Sequence, residues 1–493
     1  MMVGGSFLRN VRSKSSLVFW SSCVVALAIL ICGLIFLGKP LREEAAINAL
    51  PIPEEGEPYV LYVEEGSTLL HIKETVAVDN LLSLVLSIKD VNFKSVDMLL
   101  SMLEGSKNTA CLVLPRDRKF YLAIKPDHEI LHTISLGKLP AKWIEAYPDV
   151  SYEFVDGIVK VNTSQSNPIL ILPYRDILLV SSSMDDLDIM KHNLDNERDI
   201  SSFEWLVQGE WSGRLRCNVP ANIQGELAWI CDDEKLNAKW KIQGIEGLLS
   251  KEQVSLPRPE KWSGNYILPS QSSLALGLTM IDTPQLAKGV SSLAGTLGVN
   301  PDKLLEFLRG QVIFSLGGEA NVFTFNLPGV LFQFPNRKEL GKEIVDYIWE
   351  NRLQSLLINR SPLEGFESGG VIELPVSLVL ASSEEMTLLG LISNDAILNG
   401  LTLDRALPAV AGKEYIFWAD VDFRSIAADI ERLLSVNKAF STQVSAGIDI
   451  RENFSKLYKA IETLKNAGHL FMGLQSITDG ELLWQYKSPQ ANN

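Results

Sequence analysis

The feature that most constrains this fold is an internal duplication. Residues 67–105 align with residues 272–310 without a gap, and ten of the aligned positions are identical. Both segments have the pattern of a short strand followed by two helices. The second helix is predicted to begin at Ser95 in one copy and at Asn300 in the other, because both side chains suit a helix N-cap. Gly105 and Gly310 suit the left-handed position that ends a helix.

The two copies remain similar further along the chain. In each copy a strand runs into a proline, Pro126 or Pro335, before a short helix. Later strands at 177–180 and 377–380 are followed by Ser183 and Ser383, which are predicted to cap the next helices. Both copies end in a predicted hairpin with a tryptophan on the returning strand. A shared order of elements over about 200 residues indicates two related units rather than chance similarity.

The pattern predicts an α+β protein with mostly antiparallel sheets and with the helices packed on one face of each sheet. A single large α+β domain is the alternative to two repeat units. The predicted segments are a cytoplasmic arm at 1–15, a transmembrane helix at 16–38, a spacer at 39–58, repeat unit 1 at 59–248, a linker at 249–264, repeat unit 2 at 265–487 and a tail at 488–493.

Residues 16–38 contain no charged side chain and are long enough to cross a bilayer as one helix. The run is longer than the apolar core of a secretory signal and lacks a small-residue cleavage site, which indicates a retained anchor. Arg9, Arg12 and Lys14 precede it without an acidic residue among them, whereas Glu43 and Glu44 follow it closely. This asymmetry predicts a single-pass protein of the inner membrane, with its amino terminus in the cytoplasm and its bulk in the periplasm.

The charge and the cysteines narrow the range of partners and crosslinks. The net charge of −15 argues against a nucleic-acid partner, since no basic surface is available to replace counterions. Cys111, Cys217 and Cys231 lie beyond the predicted anchor. They allow at most one intrachain disulfide, and Cys217–Cys231 is the favoured pair because the two flank a predicted hairpin. Three reduced thiols are the alternative.

One motif has the form of a catalytic site. His128-Glu129-Ile130-Leu131-His132 fits the zinc-peptidase pattern, in which the two histidines bind zinc and the glutamate activates the metal's water. Pro126 places these residues at the start of a helix, however, and the second copy has Arg337, Lys338 and Gly341 at the equivalent positions.

No third zinc ligand stands at a family spacing, and Glu145 and Glu153 are candidates only because they are near in sequence. The other interpretation of the motif is an ordinary surface helix with Ile130, Leu131 and Ile134 turned inward.

Two further groups of residues could have a function. Asp185, Asp186 and Asp188 could bind calcium, but a charged first helical turn is the favoured explanation.

The last group consists of four tryptophans that could line a ligand groove or fill a core, namely Trp205, Trp229, Trp240 and Trp418.

The anchor with its spacer, the 272–310 block ending in Leu-Arg-Gly, and the closing segment DGELLWQYK resemble uncharacterised bacterial membrane-anchored proteins whose extracytoplasmic part is a domain of unknown function. The resemblance implies no activity and no functional residues. We therefore expect a non-catalytic binding or scaffolding protein of the cell envelope, without a cofactor, whose partner is an envelope protein or an amphiphile. A zinc-dependent metallopeptidase using His128, Glu129 and His132 and a lipid or amphiphile carrier are the alternatives.

Overall fold

Antiparallel hairpins make up most of the computed structural model of this protein. The structure describes residues 45–64, 106–146, 151–162, 168–196, 205–219, 223–232, 234–245, 257–280, 283–335, 339–353, 360–441, 458 and 460–486. The chain divides into two compact units, residues 1–254 and 255–493. The predicted anchor at 16–38 and the first-copy block at 67–105 lie outside the described residues.

Unit 1 consists of a long antiparallel sheet with short helices. Its elements are α1 (Ala45–Asn48), β1 (Tyr59–Glu64), β2 (Asn108–Leu114), β3 (Lys119–Lys125), α2 (His128–Ser135), α3 (Ala141–Ala146), β4 (Ser151–Val155), β5 (Ile158–Asn162), β6 (Ile169–Tyr174), β7 (Ile177–Ser181), α4 (Met184–Asp195), β8 (Gly213–Val219), β9 (Ile223–Cys231) and β10 (Lys235–Gln243). The strand order is β4-β5-β6-β7-β3-β2-β1-β8-β9-β10, and each of these neighbouring pairs is antiparallel.

Helix α1 differs from the sequence interpretation, which placed these residues in an extended spacer. Ala46, Ala49 and Leu50 are buried in the main core of unit 1, together with residues of β1, β2 and α4. The Asn193 side chain on α4 donates to the backbone oxygens of Ala49 (3.3 Å) and Leu50 (3.2 Å). These bonds satisfy carbonyls that a short helix leaves open at its end. Residues 45–50 are therefore part of the folded unit.

Unit 2 has a second antiparallel sheet with more helices. Its elements are β11 (Glu260–Lys261), β12 (Ile267–Leu268), β13 (Ser272–Met280), α5 (Pro284–Leu297), α6 (Pro301–Leu308), β14 (Gly310–Gly317), β15 (Ala320–Val322), β16 (Phe325–Leu327), β17 (Val330–Pro335), α7 (Leu340–Ile348) continuing as a π-helix (Trp349–Leu353), β18 (Ser368–Ile372), β19 (Leu378–Ser382), β20 (Met386–Leu391), α8 (Asn394–Leu398), β21 (Leu401–Thr402), α9 (Leu403–Ala406), β22 (Glu414–Tyr415), β23 (Phe417–Asp422), α10 (Phe423–Ser441), β24 (His469–Leu474) and β25 (Asp479–Gln485).

The main sheet of unit 2 repeats the strand connections of unit 1. Its order is β18-β19-β20-β17-β14-β13-β23-β24-β25, again with antiparallel neighbours. Strand β13 lies between β14 and β23 as β1 lies between β2 and β8. Both sheets end in a hairpin whose last strand carries a buried tryptophan, Trp240 or Trp484. The structure confirms a mixed α+β fold with mostly antiparallel sheets.

The helix ends in unit 2 follow the local sequence rules. Asn300 caps α6 by accepting hydrogen bonds from the backbone of Asp302 (2.9 Å) and Lys303 (3.3 Å), as predicted. Gly310 follows α6 and has a φ of 84°, which glycine adopts without a steric penalty.

One detail of the duplication was wrong. Ser383 does not cap a helix. It lies in the β19–β20 turn, where its hydroxyl accepts from the backbone of Glu385 (3.3 Å) and Met386 (3.2 Å). Ser393 is the equivalent of Ser183. Each caps the helix that follows β7 or β20, the strands that pair with β3 and β17.

The prediction that the helices pack on one face was also wrong for unit 2. Phe334 on β17 packs in one cluster with α5, α6 and α7, whereas Leu331 packs with α8. Residues three apart on a strand point to opposite faces, so helices cover both sides of the sheet.

The segment predicted as a linker, 249–264, is partly folded. Strand β11 pairs with β22, and the ring nitrogen of the buried Trp262 donates to the Tyr415 carbonyl at 3.0 Å. Residues 260–262 therefore belong to unit 2. Among the described helices, none combines the length and the apolar content needed to cross a bilayer.

Candidate functional site

The zinc-peptidase motif lies on the eight-residue helix α2, directly after β3. His128, Glu129 and His132 are exposed, Ile134 is buried, and Ile130 and Leu131 are half-buried. The two imidazole rings are stacked with their centroids 6.5 Å apart. This arrangement is that of an amphipathic surface helix.

No third ligand completes a zinc site at this helix. Glu153, one of the two candidates, forms a cross-strand ion pair with Lys160 at 2.6 Å. Across the part of the chain that the structure describes, no group of three or more His, Cys, Asp or Glu side chains could hold a metal ion. The geometry therefore gives no support to the metallopeptidase interpretation.

Asp186, one of the three acidic residues proposed for calcium, is part of a helix cap. The Ser183 hydroxyl donates to Asp186 at 2.6 Å, while Lys119 (3.1 Å) and Tyr121 (3.0 Å) on β3 donate to its other oxygen. Burial alone would raise the pKa of Asp186, but hydrogen bonds from Ser183, Lys119 and Tyr121 hold it below its ordinary value. The carboxylate, 1 % exposed, thus fastens α4 to the sheet.

The favoured disulfide was wrong, because Cys111, Cys217 and Cys231 are all thiols in the structure. Cys217 on β8 lies opposite Gly225, six residues along β9 from Cys231. At about 3.4 Å per residue the two cysteines are on the order of 20 Å apart, far beyond the span of a disulfide. Cys217 and Cys231 flank a hairpin in the sequence, but the strand register does not place them opposite each other.

The four tryptophans occupy cores rather than a groove. Trp229, Trp240 and Trp418 are buried, and the Trp418 ring occupies the space that a side chain at Gly277 would need. Trp205 is half-buried beneath two guanidinium groups, those of Arg216 and Arg214, which lie 4.7 and 5.2 Å from its ring centroid.

The guanidinium groups of Arg214 and Arg216 beside Trp205 offset the negative charge of Glu226, a buried residue on the next strand. Glu226 lies opposite Arg216, and its carboxylate accepts from the backbone of Val207 at 2.7 Å. Burial raises the pKa of Glu226, and the hydrogen bond and the two arginines oppose that shift. These contacts hold the 205–211 loop against the sheet, which is a structural role.

The strongest candidate for a functional site is an exposed apolar surface on the sheet of unit 2. Two rows of side chains cross β13, β14, β17 and β20 in register. One row is Leu276, Phe314, Phe332 and Leu389, and the other is Leu274, Leu316, Val330 and Leu391. We call these eight residues the apolar strip.

The apolar strip is open at its β17–β20 end. Phe332, Leu389 and Leu391 are 37, 43 and 46 % exposed, and the remaining members are half-buried. The Phe314 and Phe332 rings contact each other with centroids 5.1 Å apart. Three strand spacings make the strip about 14 Å long, and its rows are about 7 Å apart. It carries no polar side chain, so it can bind apolar groups but cannot perform acid–base or nucleophilic chemistry.

Sequence reasoning missed this surface for a physical reason. The alternation of Leu274, Leu276 and Leu278 is visible in the sequence and predicts a strand. The residues on the opposite face, such as Ile313 and Leu331, are apolar as well and form the buried core. Because both faces are apolar, the pattern does not indicate which apolar side chains remain exposed.

Comparisons with known proteins give little further information. No protein-family model matches the chain, and no curated protein matches it significantly. Crystal forms of TP0453, a Treponema envelope protein, are among the solved structures that match part of it. Forms I and IV have TM-scores of 0.25 and 0.26, each with 12 % identity over 43 % of this chain and 85 % of TP0453. Similarity at these TM-scores carries no inference about fold or function.

Proposed function

We propose that this chain is a non-catalytic binding protein of the cell envelope whose ligand-binding surface is the apolar strip. Residues 16–38 would anchor it in the inner membrane and place its bulk in the periplasm. The observation that supports binding is the exposure of Phe332, Leu389 and Leu391 on one continuous surface. Each 100 Å² of apolar surface kept in water costs about 2.5 kcal/mol, so an exposed strip favours a ligand that covers it.

The absence of polar side chains from the strip restricts the ligand. A peptide or a glycan would lose hydrogen bonds to water without gaining any from the strip. A hydrocarbon chain has no hydrogen bonds to lose. The proposal is therefore a protein that binds an apolar or amphiphilic molecule.

The test is photolabelling of the full-length protein in phosphatidylcholine nanodiscs. The probe is hexadecanol carrying a diazirine in its chain, and labelled peptides are located by mass spectrometry. We expect adducts on the peptides that contain Phe332 and Leu389, reduced at least fivefold in Leu389→Ser/Leu391→Ser.

The matched control is Leu398→Ser/Leu401→Ser, which alters two leucines of similar exposure, 48 and 53 %, outside the strip. Labelling of the strip should be unchanged in this variant. No labelling of the strip, or equal loss in both variants, would contradict the proposal.

A further inference from the structure

The row of the apolar strip that contains Leu389 continues beyond β20 to a cationic group. Leu389 lies opposite Leu380 on β19, and Leu380 lies opposite Gly370 on β18. The Trp349 ring covers this part of the row, packing with Leu380 and donating its ring N–H to the Leu380 carbonyl at 2.8 Å. The row therefore leads from the exposed leucine and phenylalanine side chains of the apolar strip to the Trp349 ring.

Arg360 lies at the far end of this row. Its guanidinium carbon is 5.2 Å from the centroid of the Trp349 ring. A side chain at Gly370 would come within 3.1 Å of Arg360 Cγ, so the arginine stem lies directly beside the row. The residue is exposed.

Within the described residues no carboxylate lies at ion-pairing distance from the Arg360 guanidinium. A cation on a ring face, without a carboxylate beside it, is a ready partner for an anionic group.

We propose that the apolar strip holds the tail of a long-chain fatty acid and that Arg360 pairs with its carboxylate. This inference rests on the proposed function and names the ligand class of that same surface. The tail would run past the Trp349 ring and then cross Leu389, Phe332 and Phe314, at right angles to the strands. Four strand spacings separate Gly370 from Phe314, about 19 Å, which is the extended length of a sixteen-carbon chain. With a net charge of −15, the chain repels anions in general, so the position of Arg360 gives the acid a specific orientation.

The experiment uses competition against the photoreactive hexadecanol in full-length protein in phosphatidylcholine nanodiscs. The competitors share a sixteen-carbon chain and differ in head group: palmitate, hexadecanol and hexadecyltrimethylammonium. We expect palmitate to compete best. Arg360→Gln should weaken palmitate competition about tenfold and leave hexadecanol competition unchanged.

Arg360→Lys should retain most of the preference for palmitate because it keeps the charge. The matched control is Arg405→Gln, an exposed arginine on α9, which should change nothing. Thermal unfolding of each variant excludes loss of the fold. If the strip is labelled but palmitate has no advantage, or Arg360→Gln has no effect, the fatty-acid inference is wrong and the proposed function stands. If the strip is not labelled at all, both are wrong.

Discussion

Asp186 shows how a single residue ties two elements of this fold together. Its carboxylate accepts hydrogen bonds from a cap serine on its own helix and from Lys119 and Tyr121 on β3. Asp186→Asn removes the charge from this buried group. We expect the opening free energy of β3 and α4 to fall by about 2 kcal/mol, measured by amide hydrogen exchange at pH 7. Asp185→Asn, an exposed neighbour in the same turn, should change it by less than about 0.5 kcal/mol.

The pKa of Asp186 also predicts a dependence on pH. The folded-state pKa lies below the unfolded value of about 3.9. The network therefore stabilises the fold above that value, and its contribution is lost as the pH falls through the folded-state pKa. Between pH 5 and pH 2, hydrogen-exchange protection of α4 should fall more steeply in the wild type than in Asp186→Asn. Parallel curves would show that the carboxylate does not carry this dependence.

At the residue scale, features that depend on neighbouring residues could be predicted from the sequence. Contacts between residues far apart in the chain could not. The cap at Asn300 and the left-handed Gly310 follow from neighbouring residues, and the structure contains both. Two partners of Asp186, Lys119 and Tyr121, lie more than sixty residues away in the chain. No spacing in the sequence indicates that pairing.

At the scale of elements, α1 is the clearest departure from the sequence interpretation. Its four-residue length and its Pro/Glu-rich surroundings gave no periodic signal, yet Leu50 is buried in the core. Leu50→Ala should destabilise unit 1 by about 2–4 kcal/mol, measured by urea unfolding. Ile52→Ala, at a half-exposed position two residues on, should cost less than about 0.5 kcal/mol. Equal, small effects would restore the spacer interpretation.

The elements also explain why the disulfide prediction failed. A hairpin can place two cysteines on adjacent strands, but the register decides whether they face each other. Cys217 and Cys231 are offset by six positions. Alkylation of the unfolded protein without prior reduction should modify both thiols completely. A Cys217–Cys231 peptide that appears only without reductant would contradict the register.

The sequence alone also does not establish which elements of the two copies are equivalent. Serines that accept backbone hydrogen bonds occur both at helix caps and in hairpin turns, so Ser183 and Ser383 have the same sequence signature. Only the strand order distinguishes them, and it assigns the cap to Ser393. The equivalence of elements between the two copies therefore becomes visible only in the sheet.

At the scale of the whole molecule, helix α1 lies close in sequence to the predicted anchor. Seven residues separate Gly38 from Ala46, a buried residue of α1. An extended chain of that length spans at most about 25 Å, so the proposed anchor would keep unit 1 near the bilayer. This short tether fits a ligand that comes from the membrane.

The topology has its own test. Alkaline phosphatase fused after Asn493 should be active in intact cells, because the charges around residues 16–38 predict a periplasmic carboxyl terminus. An inactive but stable fusion would reverse the orientation and remove the envelope setting from the proposed function.

The central claim is that the apolar strip binds an apolar ligand, and crosslinking in the native membrane tests it most directly. p-Benzoylphenylalanine at position 389 in the full-length protein, activated by light, should acquire an adduct with the mass of a small amphiphile. The same residue at position 398, on α8 and of similar exposure, should not. Equal labelling at both positions, or no small adduct at position 389, would contradict the claim.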